Sequence, residues 1–220
     1  MEDKVVLLDF WPSVYGMRVR IALAEKGIEY EAKEENLWDK SPLLLGMNPV
    51  HKTVPVLIHN GKPVCESLNI IRYIDEVWSH KSPLLPSNPY QKSQALFWAD
   101  YIDKKIFSLG KQLWNAKGEE QEAIKKEFIE CLKIIEGELG DKLYFGGERF
   151  GFIDLVLVPI TRWFYSYEVC ANFSIESECP KIVSWARRCL EEKQSLAKSL
   201  PDPQKIYGSF VLPTKEKYGI

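Results

Sequence analysis

Apolar and polar positions change period every few residues through the first third of the chain. The apolar run Val5 to Leu8 belongs to a strand expected over 5–10. Ile21-Ala22-Leu23-Ala24-Glu25-Lys26 reads as a helix that stops at Gly27. Ile28, Tyr30 and Ala32 then alternate with charged residues, the period of a half-buried strand. Ser41-Pro42 is a helix start, with a capping hydroxyl followed by a proline whose fixed φ suits the first helical position. Residues 54–59 and 63–65 flank Asn60-Gly61, a pair that favours a two-residue hairpin turn. Helical spacing returns from Ser67 to Trp78. The order βαβ, short helix, ββα predicts a thioredoxin-like domain.

Past residue 79 the period is helical almost throughout. Residues 79–88, with Pro83 and Pro86, read as a connecting stretch, and Asn88-Pro89 repeats the cap-plus-proline signal. Ala95, Ala99, Ile102, Ile106 and Leu109 form one apolar stripe; Ile124, Phe128, Cys131, Ile135 and Leu139 form another. Both are expected to be bundle core. Phe152 to Val158 is apolar on all sides except at Asp154, which the spacing places at the third position of a helix capped by Gly151. Asp154 therefore reads as structural. The expected organisation is α/β followed by all-α: a thioredoxin-like domain over 1–80, a linker over 81–88 and an all-helical domain over 89–220.

A length of 220 residues suffices for one or two cores. The formal charge of −2 argues against a nucleic-acid partner, and no apolar run approaches the length that spans a bilayer. Five cysteines without a paired spacing, and no signal-peptide pattern, point to a reducing, cytoplasmic setting. Three scattered histidines offer no metal-ligand spacing. Seven tryptophans suit flat apolar ligands, although core filling accounts for any one of them equally well.

Candidate chemistry concentrates at Phe10-Trp11-Pro12-Ser13-Val14-Tyr15-Gly16-Met17-Arg18-Val19-Arg20, where a hydroxyl stands between a strand and a helix. Amide N–H groups and the helix dipole favour an anion there, and Arg18 and Arg20 add positive charge. Alone, such a serine is an ordinary helix cap. Downstream, however, stand His51-Lys52-Thr53-Val54-Pro55-Val56-Leu57-Ile58 and Pro63-Val64-Cys65-Glu66-Ser67-Leu68. Together with Trp11-Pro12-Ser13, Ser41-Pro42-Leu43-Leu44-Leu45, Asn48-Pro49-Val50 and Tyr73-Ile74-Asp75-Glu76, they resemble the plant tau class of glutathione S-transferases. The resemblance is specific in the first half and looser after residue 90.

That resemblance implies glutathione as co-substrate, with no tightly bound cofactor and no metal. Ser13 would donate its hydroxyl hydrogen to the glutathione sulfur, with Arg18 adding field. Glu66 and Ser67 would hold the γ-glutamyl end, and Val54 the cysteinyl backbone beside a cis bond to Pro55. Lys40, Lys52 and Thr53 would face the glycyl carboxylate. Thr53 departs from the usual Lys-Lys pair, so weaker glutathione binding is expected. The electrophile pocket would take Phe10, Val14, Tyr15, Leu37, Phe107, Lys111, Trp114, Trp163 and Tyr207, mostly from the second domain.

The activity so implied is conjugation of glutathione to hydrophobic electrophiles such as xenobiotics and lipid-oxidation products, with peroxidase activity on the side. Thiol transfer fits less well, because residue 13 carries no sulfur. A non-catalytic carrier of hydrophobic ligands is the other reading. A homodimer is expected from the resemblance alone, with apolar residues around Trp78 and on the first long helix as the contact.

Overall fold

The computed structural model describes residues 4–81 and 83–219. The chain divides between Leu85 and Pro86 into two compact units. Ser82, in the expected connecting stretch, lies outside the described residues, as do 1–3 and 220.

The first unit is built on a four-stranded sheet of order β2-β1-β3-β4. Its strands are β1 (Val5–Asp9), β2 (Glu31–Glu34), β3 (Val56–His59) and β4 (Lys62–Cys65). β2 runs parallel to β1, while β1–β3 and β3–β4 are antiparallel. Helices α1 (Val14–Lys26), α2 (Pro42–Met47) and α3 (Ser67–Val77) complete the expected thioredoxin-like order. Asn60 and Gly61 both take positive φ, as a primed hairpin turn requires. Ser41 caps α2 by accepting from Leu44 N–H at 3.0 Å.

β2 differs from its expected form. It begins only at Glu31, all four of its residues are exposed, and it pairs with β1 alone at the sheet edge. Ile28 is instead consumed by the end of α1: its N–H donates to Leu23 C=O across left-handed Gly27. Trp78, expected at an exposed apolar contact, is 6 % exposed and packs on the His59 ring at 5.0 Å. Within the expected connecting stretch, Leu84 and Leu85 are buried and donate their N–H groups to the two oxygens of Asp75, at 2.9 and 3.0 Å. Asp75 also pairs with wholly buried Lys26 at 2.6 Å.

The second unit is helical. A continuous run comprises α4 (Pro89–Tyr101), a π-helical segment (Ile102–Phe107) and α5 (Ser108–Leu113). There follow α6 (Gly118–Leu139), α7 (Phe152–Thr161), α8 (Phe164–Ala171), α9 (Ile175–Glu178), α10 (Pro180–Glu192), α11 (Gln194–Ser199) and α12 (Pro203–Ile206). A second π-helical segment (Tyr207–Val211) and α13 (Leu212–Tyr218) close the chain. All five residues of the first predicted stripe are buried. In the second, Ile124 is only half-buried. Every residue of α7 is buried. Asp154 accepts from Gly151 N–H (2.9 Å), Phe145 N–H (3.0 Å) and Trp185 Nε1–H (2.8 Å), which ties the α6–α7 loop and α10 to the α7 amino end. Burial pushes its carboxyl up, and these donors pull it partly back. The structural reading of Asp154 stands on this geometry. No helix among the described residues is long and apolar enough to cross a membrane.

Candidate active site

The strand-to-helix turn from Phe10 to Ser13 is held tightly. Ser13 N–H donates to Phe10 C=O at 2.8 Å, and Ser13 Oγ accepts from Gly16 N–H at 3.2 Å as the cap of α1. The oxygen is thus oriented from behind, and the hydroxyl hydrogen remains to be donated. Ser13 is half-buried, Val14 is buried and Tyr15 is half-buried.

Arg18 is wholly buried. It sits inside because α1 packs on α3. There its Nη1 lies 3.5 Å from Ser67 Oγ, and its guanidinium carbon lies 5.2 Å from the centre of the Tyr15 ring. Arg18 is therefore fixed between the amino ends of α1 and α3 rather than reaching outward.

Ser67 is the first helical residue of α3, not its cap. The cap position belongs to Glu66, which takes φ 71° and makes no side-chain cap hydrogen bond. A left-handed Glu is costly and is maintained only by its surroundings. The Glu66 carboxylate is exposed, 3.9 Å from His51 Nε2. Beside it, Cys65 is half-buried, and burial together with Glu66 pushes its thiol up, so it is not an activated thiolate.

The loop before β3 is shaped by Asn48, which is 2 % exposed. Its Oδ1 accepts from His51 N–H at 3.1 Å, and its Nδ2 donates to Thr53 C=O at 3.0 Å. Lys52 takes φ 54° and is exposed, as is Thr53. Val54-Pro55 is cis, as expected, and both residues are buried and precede the ladder of β3. Lys40 and Leu37 are half-buried in the segment between β2 and α2. Phe10 packs edge-on against Trp38 at 5.9 Å.

In the second unit the named aromatics separate. Trp114 and Trp163 are 7 % and 8 % exposed and lie 6.3 Å apart; both also contact Phe210. Tyr207, half-buried, packs edge-on against Tyr165 at 5.6 Å. Phe107 closes the first π-helical segment and Tyr207 opens the second. Such segments, which shift helix register by a residue, recur at functional sites. Lys111 is exposed and lines a groove of about 440 Å³ with Ser108, Gln112, Asn115, Glu120 and Ile124; none of the four aromatics lines it. Among the described residues no His, Cys, Asp or Glu cluster is arranged for a metal.

Sequence reasoning overlooked Asn48, Asp9 and Glu34. Asn48 followed by Pro49 carries a recognisable turn signal; Asp9 and Glu34 carry none.

Comparison with known proteins follows this geometry closely. The profile described as "Glutathione S-transferase, N-terminal domain" matches residues 3–76, and "Glutathione S-transferase, C-terminal domain" matches 96–193. A probable glutathione S-transferase, parA, of Nicotiana tabacum is 69% identical over 99% of this chain and 98% of its own. Glutathione S-transferase U25 of Arabidopsis thaliana is 60% identical over 100% of this chain and 99% of its own. Among solved structures, rice GST1 in complex with glutathione aligns with TM-score 0.95 at 49% identity, covering 100% of both chains. The tau-class enzyme of mango aligns with TM-score 0.87 at 41% identity, covering 92% of this chain and 95% of its own.

Proposed function

Because this chain belongs to the glutathione S-transferase family, in its plant tau class, we propose that Ser13 is the hydroxyl that holds the glutathione thiolate. The activity is conjugation of that thiolate to hydrophobic electrophiles, with glutathione as co-substrate. One observation carries the role of Ser13. Its oxygen accepts from Gly16 N–H inside the helix end, so its single hydrogen is left for the sulfur.

Ser67 repeats the arrangement. Its oxygen faces Arg18 Nη1 from behind, and its hydrogen suits the γ-glutamyl carboxylate at the amino end of α3. The Glu66 carboxylate would accept from the glutathione ammonium. Val54, ahead of the β3 ladder, would pair with the peptide backbone as an added strand does. Lys40, Lys52 and the Thr53 hydroxyl would meet the glycyl carboxylate. Arg18 acts as a buried positive charge behind Ser67 and is a positioning residue, not a ligand contact.

Magnitudes show what Ser13 can supply. A thiol of pKa about 8.5 is roughly 3% ionised at pH 7, and lowering it by about two units gives roughly 25-fold more thiolate. Each thiolate is then about eightfold less nucleophilic, for a net gain of about threefold. The rest of the acceleration is positional: the Ser13 hydroxyl also holds the sulfur in line beside the electrophile, so its loss costs more than the ionisation alone. In the first unit, Phe10, Val14, Tyr15 and Leu37 are the proposed electrophile contacts. In the second, taken by itself, Phe107, Lys111 and Tyr207 are proposed, along with the mostly buried Trp114 and Trp163.

Five free thiols support a cytoplasmic location. Exposed Tyr90 and Phe97 on α4 support a homodimer, and sedimentation as monomer alone at micromolar concentration would refute it. The deciding experiment compares conjugation of 1-chloro-2,4-dinitrobenzene at saturating glutathione in wild type and Ser13→Ala. A fall of about 10²-fold supports the assignment. Equal rates would move thiolate stabilisation away from Ser13.

A further inference from the structure

Three charged side chains outside the ligand-facing set converge on the back of the Ser13 turn. Asp9 Oδ1 accepts from Phe10 N–H at 2.7 Å. Glu34 Oε1, reaching from β2, accepts from Trp11 N–H at 2.8 Å. Arg20, reaching from α1, donates through Nη2 to Trp11 C=O at 2.9 Å and through Nη1 to Asp9 Oδ2 at 2.9 Å. Phe10 C=O, in turn, accepts from Ser13 N–H. We propose that Asp9, Arg20 and Glu34 are positioning residues for thiolate formation, clamping the backbone of Phe10 and Trp11 so that the Ser13 hydroxyl is aimed at the glutathione sulfur. This rests on the assignment of Ser13 above.

The clamp is placed where folding alone gives little reason for it. Arg20 Nε is buried without a hydrogen-bond partner, so the guanidinium forgoes one bond while both Nη groups stay on the clamp. Asp9 is 4 % exposed, and burial pushes its carboxyl up to about 6, against the pull of Arg20 and the Phe10 amide. The charged and titratable groups that face it are Arg20 from α1 and Glu34 from β2, with Tyr30 just before β2. Asp9 also leaves no room beside it: a Cβ at Gly16 would stand 1.7 Å from Asp9 Oδ1. Asp9 is therefore wedged between the turn and the first turn of α1. A hydrogen bond to sulfur weakens with small errors in angle and distance, so a turn fixed at two successive peptides has a direct chemical consequence.

The test is the apparent pKa of the glutathione thiol in the binary complex, read from thiolate ultraviolet absorbance against pH. It is accompanied by kcat and the glutathione KM with 1-chloro-2,4-dinitrobenzene. Glu34→Ala is expected to raise the bound thiol pKa by about half a unit and to lower kcat at pH 6.5 about threefold, with KM within about twofold. Glu34→Gln, which retains an acceptor for Trp11 N–H, should restore most of the loss. Asp9→Asn should cost about tenfold. Asp75→Asn serves as the control: it should melt earlier and leave the thiol pKa unmoved. Glu34 is exposed, so its pair of variants decides the question even where Asp9→Asn fails to fold. A wild-type thiol pKa in Glu34→Ala, with Ser13→Ala raised, would overturn the clamp and leave Ser13 intact. An unmoved Ser13→Ala would overturn both.

Discussion

Two helix amino ends in this chain are each organised around a carboxylate, and they use it in opposite ways. At α7 the carboxylate is Asp154, three residues inside the helix and wholly buried, and its oxygens take donors from the α6–α7 loop and α10. Its oxygens are committed to the fold rather than offered to a ligand. At α1 the carboxylate is Asp9, before the turn rather than within the helix, and it grips the entering backbone from behind. The cap falls to Ser13, half-buried, whose hydroxyl faces away from the groups that hold it. The same physics closes one helix end and opens the other. What differs is whether the charge sits in front of the amides or behind the turn.

The strongest way to break the closed end is Asp154→Ala. It leaves two backbone N–H groups and an indole N–H buried without an acceptor, each costing about 1–3 kcal/mol. With partial relaxation, a loss of about 4 kcal/mol and a fall in melting temperature of roughly 10 °C are expected by calorimetry. Unchanged melting would show that the closed end is not a stabilising device. Ser13→Ala should give the reverse signature. Loss of one half-buried cap costs about 1 kcal/mol, while turnover falls by about 10²-fold. A variant that melted early and still turned over would erase the distinction between the two ends.

A pH titration sharpens it further. The folded-state pKa of Asp9, about 6, lies above the ordinary 3.8, so the folded chain holds that proton more tightly than the unfolded one. The stability this contributes is present in full below about pH 4 and is lost as pH rises through 6. Relative to Asp9→Asn, wild type should therefore gain stability on acidification from pH 7 to 4, on the order of 2 kcal/mol. Turnover should move the other way, because protonation of Asp9 weakens its ion pair with Arg20 and loosens the clamp. Denaturant unfolding and kcat measured at the same pH values check both signs. Parallel movement of the two would mean that Asp9 acts through folding alone.

The open end was legible in the sequence and its support was not, for a physical reason. Strand, serine and helix follow one another within about ten residues, so local periodicity and capping chemistry locate Ser13. Glu66 and Ser67 were named from the family resemblance, and which of them caps α3 depends on a positive φ that a glutamate does not advertise. Glu34 reaches Trp11 across 23 positions, and only the parallel register of β2 on β1 brings it there. Arg18 was named for its charge, but its burial follows from the packing of α1 on α3, which is a tertiary property. Aromatic positions in the second unit were named as a group from the resemblance, and in the fold they separate into Trp114 with Trp163 and Tyr207 with Tyr165. Which of them wall a pocket and which fill the core depends on packing that periodicity does not encode.

The smallest expected effect lies at the far end of the glutathione site. Thr53 is exposed and follows Lys52, and its carbonyl is already engaged by Asn48 Nδ2. Its side chain is therefore the variable part, and it brings a hydroxyl where a second ammonium is usual in the family. Thr53→Lys adds a positive charge near the place assigned to the glycyl carboxylate. An exposed ion pair of this kind is worth about 0.2–1 kcal/mol, so the glutathione KM should fall by about 1.4- to fivefold at low salt, with kcat unchanged. The gain should shrink as ionic strength shortens the screening length. A kcat change would show that this loop communicates with the Ser13 turn. No change in KM at any salt concentration would place the glycyl carboxylate away from residue 53, and leave Lys40 and Lys52 as its partners.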